Sequence, residues 1–130
     1  MKFGVSSMTA TLQTVAVRKP GSTLIEADST KWHYGPQFDP NKVTQQHEAF
    51  VACLVNAGCN VVFMENDDLG IADAVFTYDA SLITPTGALL MSPGKPLRHG
   101  EQNVHRNFFE LHGIPAVSYT HLTLPTTPYV

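Results

Sequence analysis

The chain has 130 residues, 15% of them charged, and a formal net charge of −3, so it has the length of one ordinary domain and no basic footprint for nucleic acid or an anionic membrane surface. No apolar run approaches the roughly 20 residues of a membrane span, and no long apolar stretch follows Met1-Lys2-Phe3-Gly4 as it would in a secretory signal, so the cytoplasm is the expected compartment. Cys53 and Cys59 have neither zinc nor redox-pair spacing and read as small buried thiols.

Thr14 to Arg18 alternates, with Val15 and Val17 on one face, and is predicted to be a strand ended by Lys19-Pro20-Gly21. Ser22 to Phe38 reads as a long mixed loop carrying Trp32, Tyr34 and Pro36, of a length that compact domains keep for function. Asp39-Pro40 starts a helix, with a capping carboxylate followed by proline at the first helical position. Val43, His47, Phe50, Val51, Leu54 and Val55 share one face of that helix, and Gly58 stops it. Val61 to Met64 reads as a buried strand, and Asn66 to Gly70 as a turn. Ala74 to Tyr78, Ser81 to Thr84 and Ala88 to Met91 are predicted strands. A helix follows from Leu97, with Leu97, Val104, Phe108 and Leu111 on one face. Gly113 caps it, and Ile114-Pro115-Ala116 begins the next strand. The pattern is α/β, with two repeats of roughly ββαβ type, the second better formed.

The chemistry-bearing residues concentrate in Asp73-Ala-Val-Phe-Thr-Tyr-Asp79 and in Gly94-Lys-Pro-Leu-Arg-His-Gly-Glu101. Two carboxylates six residues apart are expected around an apolar strand, with an arginine opening the next helix. Carboxylates match the planar guanidinium fork, and an arginine offers the reverse fork to a carboxylate, so the set suits a ligand such as arginine. His33, His47, His99, His105 and His112 lack the i, i+4 spacing of a helical zinc pair. His105 and His112 are expected to face solvent.

With Thr14-Val-Ala-Val-Arg-Lys-Pro-Gly21 and Gln46-His-Glu-Ala-Phe-Val-Ala-Cys-Leu54, this block forms an ordered set from about Ser7 to Ala116. That set resembles the dimethylarginine dimethylaminohydrolase branch of the arginine deiminase and amidinotransferase superfamily. The resemblance implies a closed α/β propeller of five ββαβ modules, of which about two are present. It implies an amidine hydrolase that cleaves a C–N bond of a small guanidino substrate, such as a methylated arginine, through a covalent cysteine intermediate, with no metal or organic cofactor. It implies that Asp79 binds the substrate guanidinium, that Asp73 contacts the same side, and that Arg98 binds the α-carboxylate. Tyr78 stands where the better-known members carry Glu, and could stack on or hydrogen-bond to the guanidinium. Phe76 is a core residue or a pocket wall. The family's catalytic His and Cys lie downstream and have no counterpart in 1–116. An arginine deiminase or amidinotransferase, and a ribosome-binding translation factor of the same fold, are the alternatives. The Asp73, Asp79 and Arg98 set argues against the latter. A truncated module without catalysis is a further alternative.

From Val117 to Val130 there is no Asp, Glu, Lys or Arg, and threonine is abundant. The codons GTC TCT TAT ACA CAT CTG ACG CTG CCG ACG of a transposase sequencing adapter translate to Val117 through Thr126. Residues 1–116 are therefore expected to be the N-terminal part of the enzyme-like domain. Residues 117–130 are expected to be a non-native tail, with regular structure stopping near Ala116.

Overall fold

The computed structural model of the chain describes residues 2–65 and 70–124, and side chains as far as residue 118. They fall into two units, Leu12–Phe76 in one, and Met1–Thr11 with Thr77–Val130 in the other.

In the Leu12–Phe76 unit, β1 (Thr14–Val17) and β2 (Asn60–Phe63) pair in parallel, Val15 opposite Val61 and Val17 opposite Phe63. A parallel pair needs a crossover, supplied here by α1 (Ser22–Ile25) and α2 (Pro40–Asn56). Asp39 caps α2 as predicted, its carboxylate accepting from the Asn41 amide at 3.0 Å. The helix ends on Gly58 at φ +86°, with Gly58 N–H donating to Val55 O at 2.9 Å and Cys59 N–H to Leu54 O at 3.0 Å. This bond pair is a Schellman cap, which needs the left-handed residue that glycine takes without strain.

No residue of α2 is fully buried, and the half-buried row is Val43, His47, Val51 and Leu54. Phe50 and Val55, predicted on the same face, are exposed, because at 100° per residue they flank that row by about 60° and 80° from His47. Cys53 is also exposed, contrary to the buried thiol expected, since it points about 120° away from the same stripe. Cys59 is buried, its thiol facing Leu12 O at 3.6 Å.

The segment Ser22–Phe38 is more ordered than a plain loop. Besides α1, the Asp28 carboxylate accepts from the amides of Thr30 and Lys31, and Leu24 and Trp32 are buried anchors. Phe63 is exposed and Met64, just past β2, is buried, so the run Val61–Met64 is a half-covered strand rather than a fully buried one. The predicted strand Ala74–Tyr78 is absent. Ala72–Val75 forms a 3₁₀ turn, with Phe76 N–H donating to Asp73 O at 2.9 Å. Ala72, Asp73 and Ala74 are buried in succession, which a strand with one covered face cannot do. The predicted turn at Asn66 to Asp68 and Leu69 lies outside the described residues.

The second unit contains one complete ββαβ module. β3 (Ser81–Thr84) and β4 (Gly87–Pro93) form an antiparallel hairpin, and α3 (Glu101–Leu111) crosses over to β5 (Ala116–Leu124), parallel to β4. β4 is the central strand, with Ala88 and Leu90 inaccessible. A Cβ at Gly87 would stand 2.6 Å from Pro115 O, so only glycine lets the start of β5 approach β4 here. α3 buries Glu101, Val104, His105, Phe108 and Phe109, the i, i+3, i+4, i+7, i+8 stripe of an amphipathic helix. Leu111, predicted on that face, lies at its flank in the last turn and is exposed. A second Schellman cap closes α3, Gly113 N–H to Glu110 O at 3.2 Å and Ile114 N–H to Phe109 O at 2.8 Å.

Regular structure does not stop at Ala116 as the composition break suggested. Its β-branched and aromatic residues suit a strand, and β5 continues to Leu124 along β4. The ladder is irregular within this stretch: β4 advances from Leu90 to Ser92 while β5 advances from Ser118 to Thr123. Among the described residues, no helix is long and apolar enough to cross a membrane.

Candidate functional site: a carboxylate–arginine–carboxylate cluster

Arg98 does not open α3. It ends a short 3₁₀ turn, Pro96–Arg98, and Gly100 at φ +97° then redirects the chain so that α3 begins at Glu101. Residues 98 and 101 consequently lie side by side, with Glu101 in the first turn of α3, where the helix dipole favours an anion. Arg98 Nε donates to Glu101 Oε2 at 2.7 Å and Nη2 to Glu101 Oε1 at 2.5 Å. On its other edge Nη1 donates to Asp79 Oδ2 and Nη2 to Asp79 Oδ1, both at 2.6 Å. Two bidentate, charge-assisted pairs therefore share one guanidinium.

Burial is graded across the cluster. Relative side-chain exposure is 0% for Glu101, 6% for Arg98 and 27% for Asp79. Burial acts to lower the pKa of Arg98, but the hydrogen bonds to Glu101 and Asp79, and the charges of both, outweigh it and hold the group above the ordinary arginine value. The guanidinium is thus a fixed cation. Asp79 is the wet end of the cluster and Glu101 the dry end.

The sequence reading placed Asp79 against a substrate guanidinium and Arg98 against a substrate carboxylate. In this structure the two grip each other. An incoming carboxylate would compete with Asp79 or Glu101 for the Arg98 donors. Glu101 was not among the candidate site residues, although the Arg-x-x-Glu spacing carried the signal for its pairing with Arg98. Its complete burial depended on Gly100 and the start of α3, which periodicity from Leu97 concealed.

Asp73, in the Leu12–Phe76 unit, is buried, and the Tyr34 hydroxyl donates to its Oδ1 at 2.5 Å. Tyr34 was singled out only as a loop aromatic, and nothing local in sequence pairs it with a carboxylate 39 positions away. Phe76 is exposed, so it is not a core residue. Tyr78 is 88% exposed. His105 does not face solvent. It is buried on the stripe of α3, with Nδ1 and Ser81 Oγ 2.8 Å apart and its ring edge-on to Phe109. His112 lies against the Phe108 ring, with 4.4 Å between centroids.

No family model matches the chain. The protein YkgA of Bacillus subtilis (strain 168), itself uncharacterised, is 31% identical over 115 residues, covering 86% of this chain. The chain spans 39% of the length of that curated relative. Among solved structures, dimethylarginine dimethylaminohydrolase from Pseudomonas aeruginosa, a mutant complexed with citrulline, superposes with a TM-score of 0.69 at 19% identity. That match covers 86% of this chain and 43% of that one. AgrE, a mutant in complex with L-arginine, gives a TM-score of 0.66 at 18% identity, covering 86% of this chain and 17% of that one. Across most of its length, this chain carries the fold that dimethylarginine dimethylaminohydrolase and AgrE share, in keeping with the branch its sequence motifs resemble.

Proposed function

We propose that the gene encodes an amidine hydrolase of the dimethylarginine dimethylaminohydrolase type, acting on a small guanidino substrate such as a methylated arginine. One observation carries this reading: a half-exposed carboxylate, Asp79, held rigid by a buried arginine and a second carboxylate, in a fold whose solved neighbours bind citrulline and L-arginine. In the proposed reaction a cysteine thiolate attacks the guanidinium carbon, a histidine protonates the departing amine, and a water activated by that histidine then releases the ureido product. Carboxylates fix the cationic carbon for attack. The cysteine and histidine are assigned to sequence downstream of residue 116, because Cys53 and Cys59 lie in the wrong motifs to substitute for the family's nucleophile. The 130-residue chain by itself is accordingly expected to turn over no guanidine.

Asp79, Asp73, Tyr78, Phe76 and Arg98 are the proposed substrate contacts. They would belong to two of five propeller modules. The test is steady-state kinetics on the gene read through past codon 116, with arginine, methylated arginines and a simple alkylguanidine. Asp79→Asn keeps the size and removes the charge, and is expected to lower kcat/KM by about a hundredfold or more, the scale of an unpaired buried charge. Near wild-type kcat/KM on every substrate would remove Asp79 from the site. Product analysis separates the related activities: an alkylamine leaves in dimethylarginine hydrolysis, ammonia in arginine deimination, and an amidino group moves to an acceptor in transfer.

A further inference from the structure

We propose that Glu101 is a specificity-determining residue: by offsetting Arg98 it leaves Asp79 its full negative charge toward a ligand, so that the site prefers a cationic guanidino group to a neutral ureido group. The inference rests on the guanidino-binding reading above and adds the origin of its charge selectivity.

Arg98 bonded to Asp79 alone would form a neutral pair with little pull on an approaching cation. Glu101 binds the opposite edge of the same guanidinium through Nε and Nη2, so three formal charges sum to one negative charge. Glu101 is inaccessible and Asp79 is the partly exposed member, so the surplus meets solvent at Asp79. The arrangement also explains how one carboxylate is both clamped and active. Arg98 fixes the orientation of Asp79, and Glu101 prevents that clamp from cancelling its charge. One unit charge roughly 6–12 Å away, across the guanidinium, at an effective dielectric near 20, changes the affinity for a monovalent cation by on the order of ten- to a hundredfold and barely alters that for a neutral isostere.

L-arginine and L-citrulline share their backbone, carboxylate and chain length and differ in the charge of the terminal group. The experiment titrates both into the 130-residue chain and its Glu101→Gln and Glu101→Asp variants, followed by amide NMR shifts that also report folding. Wild type is expected to prefer L-arginine. Glu101→Gln should lose about tenfold or more of its L-arginine affinity and keep its L-citrulline affinity within about a factor of two. Glu101→Asp, which retains the charge, should keep the preference. An equal loss for both ligands would make Glu101 merely structural and overturn the proposal, as would an unchanged preference in Glu101→Gln or a lost one in folded Glu101→Asp. If wild type binds neither ligand, the titration is repeated on the gene read through past codon 116, and an absence of binding there ends the guanidino-binding reading. The charge offset is then decided by the carboxyl-carbon NMR shift of Asp79 at fixed neutral pH, which must move in Glu101→Gln because Arg98 is no longer shared. An unshifted Asp79 overturns it.

Discussion

Asp73 and Tyr34 show a buried carboxylate held by a hydroxyl from a distant part of the chain. The phenol donates across 39 positions to a carboxylate that is only 5% exposed, with the short geometry of a charge-assisted bond. Tyr34→Phe removes the donor and leaves the ring, so it isolates that bond. Hydrogen bonds to charged groups contribute about 1.5–3 kcal/mol, and urea unfolding of the variant should show a loss in that range. A loss below about 0.5 kcal/mol, the size of a neutral surface change, would mean that Asp73 is held by its other contacts. Under the proposed function, the same substitution in the full-length protein should raise KM more than it lowers kcat if Asp73 contacts bound substrate. Little of this pairing was legible in sequence. Residue type and motif located Asp73, Asp79 and Arg98, but the partners of each were fixed by the fold: Tyr34 through a long loop, Glu101 through a helix that starts later than its periodicity suggests.

At the scale of elements, the two Schellman caps are the most readable features, because glycine after an amphipathic run has one local cause. Gly113 sits at φ +68°, and a Cβ there would meet nothing within 4 Å, so Gly113→Ala tests backbone conformation alone. It should cost about 1–2 kcal/mol, read from the unfolding midpoint. Gly87→Ala is the contrasting case, since its Cβ would meet Pro115 O at 2.6 Å and the β4–β5 approach must give way. The strand expected at Ala74–Tyr78 failed for the opposite reason. Five residues of mixed apolar character carry too little periodicity to oppose tertiary contacts, and the burial of Asp73 between two alanines selected a turn. α2 supplies a pH prediction. Burial, partly opposed by a hydrogen bond involving the Arg18 backbone, lowers the pKa of His47 below 6.5. The unfolded chain therefore binds the extra proton first, and stability should fall as pH drops from 6.5 into the depressed range. His47→Gln should flatten that slope in unfolding measured between pH 7 and 5, while an unchanged slope would assign the effect to other groups.

For the whole molecule, the tail is the decisive question, and we propose that residues 117–130 are not native. The adapter reading of Val117 to Thr126 and the loss of charged residues after Ala116 motivate this. Genomic sequence that diverges from Val117 onward is the expected result, and genomic codons for Val117 to Val130 followed by a stop would refute it. In the second unit β4 gains its two neighbours at very different times. β3 precedes it by a two-residue turn and can pair as soon as the hairpin is made, whereas β5 becomes available only after the whole of α3. A ribosome therefore exposes the apolar central strand, Leu90 included, on one open edge for as long as translation takes to cover the next thirty or so codons, at about 5–20 residues per second. During that interval the nascent chain offers a pairing edge to any other strand or to a chaperone, and slow codons between Pro93 and Ala116 would lengthen the exposure without changing a single residue of the product.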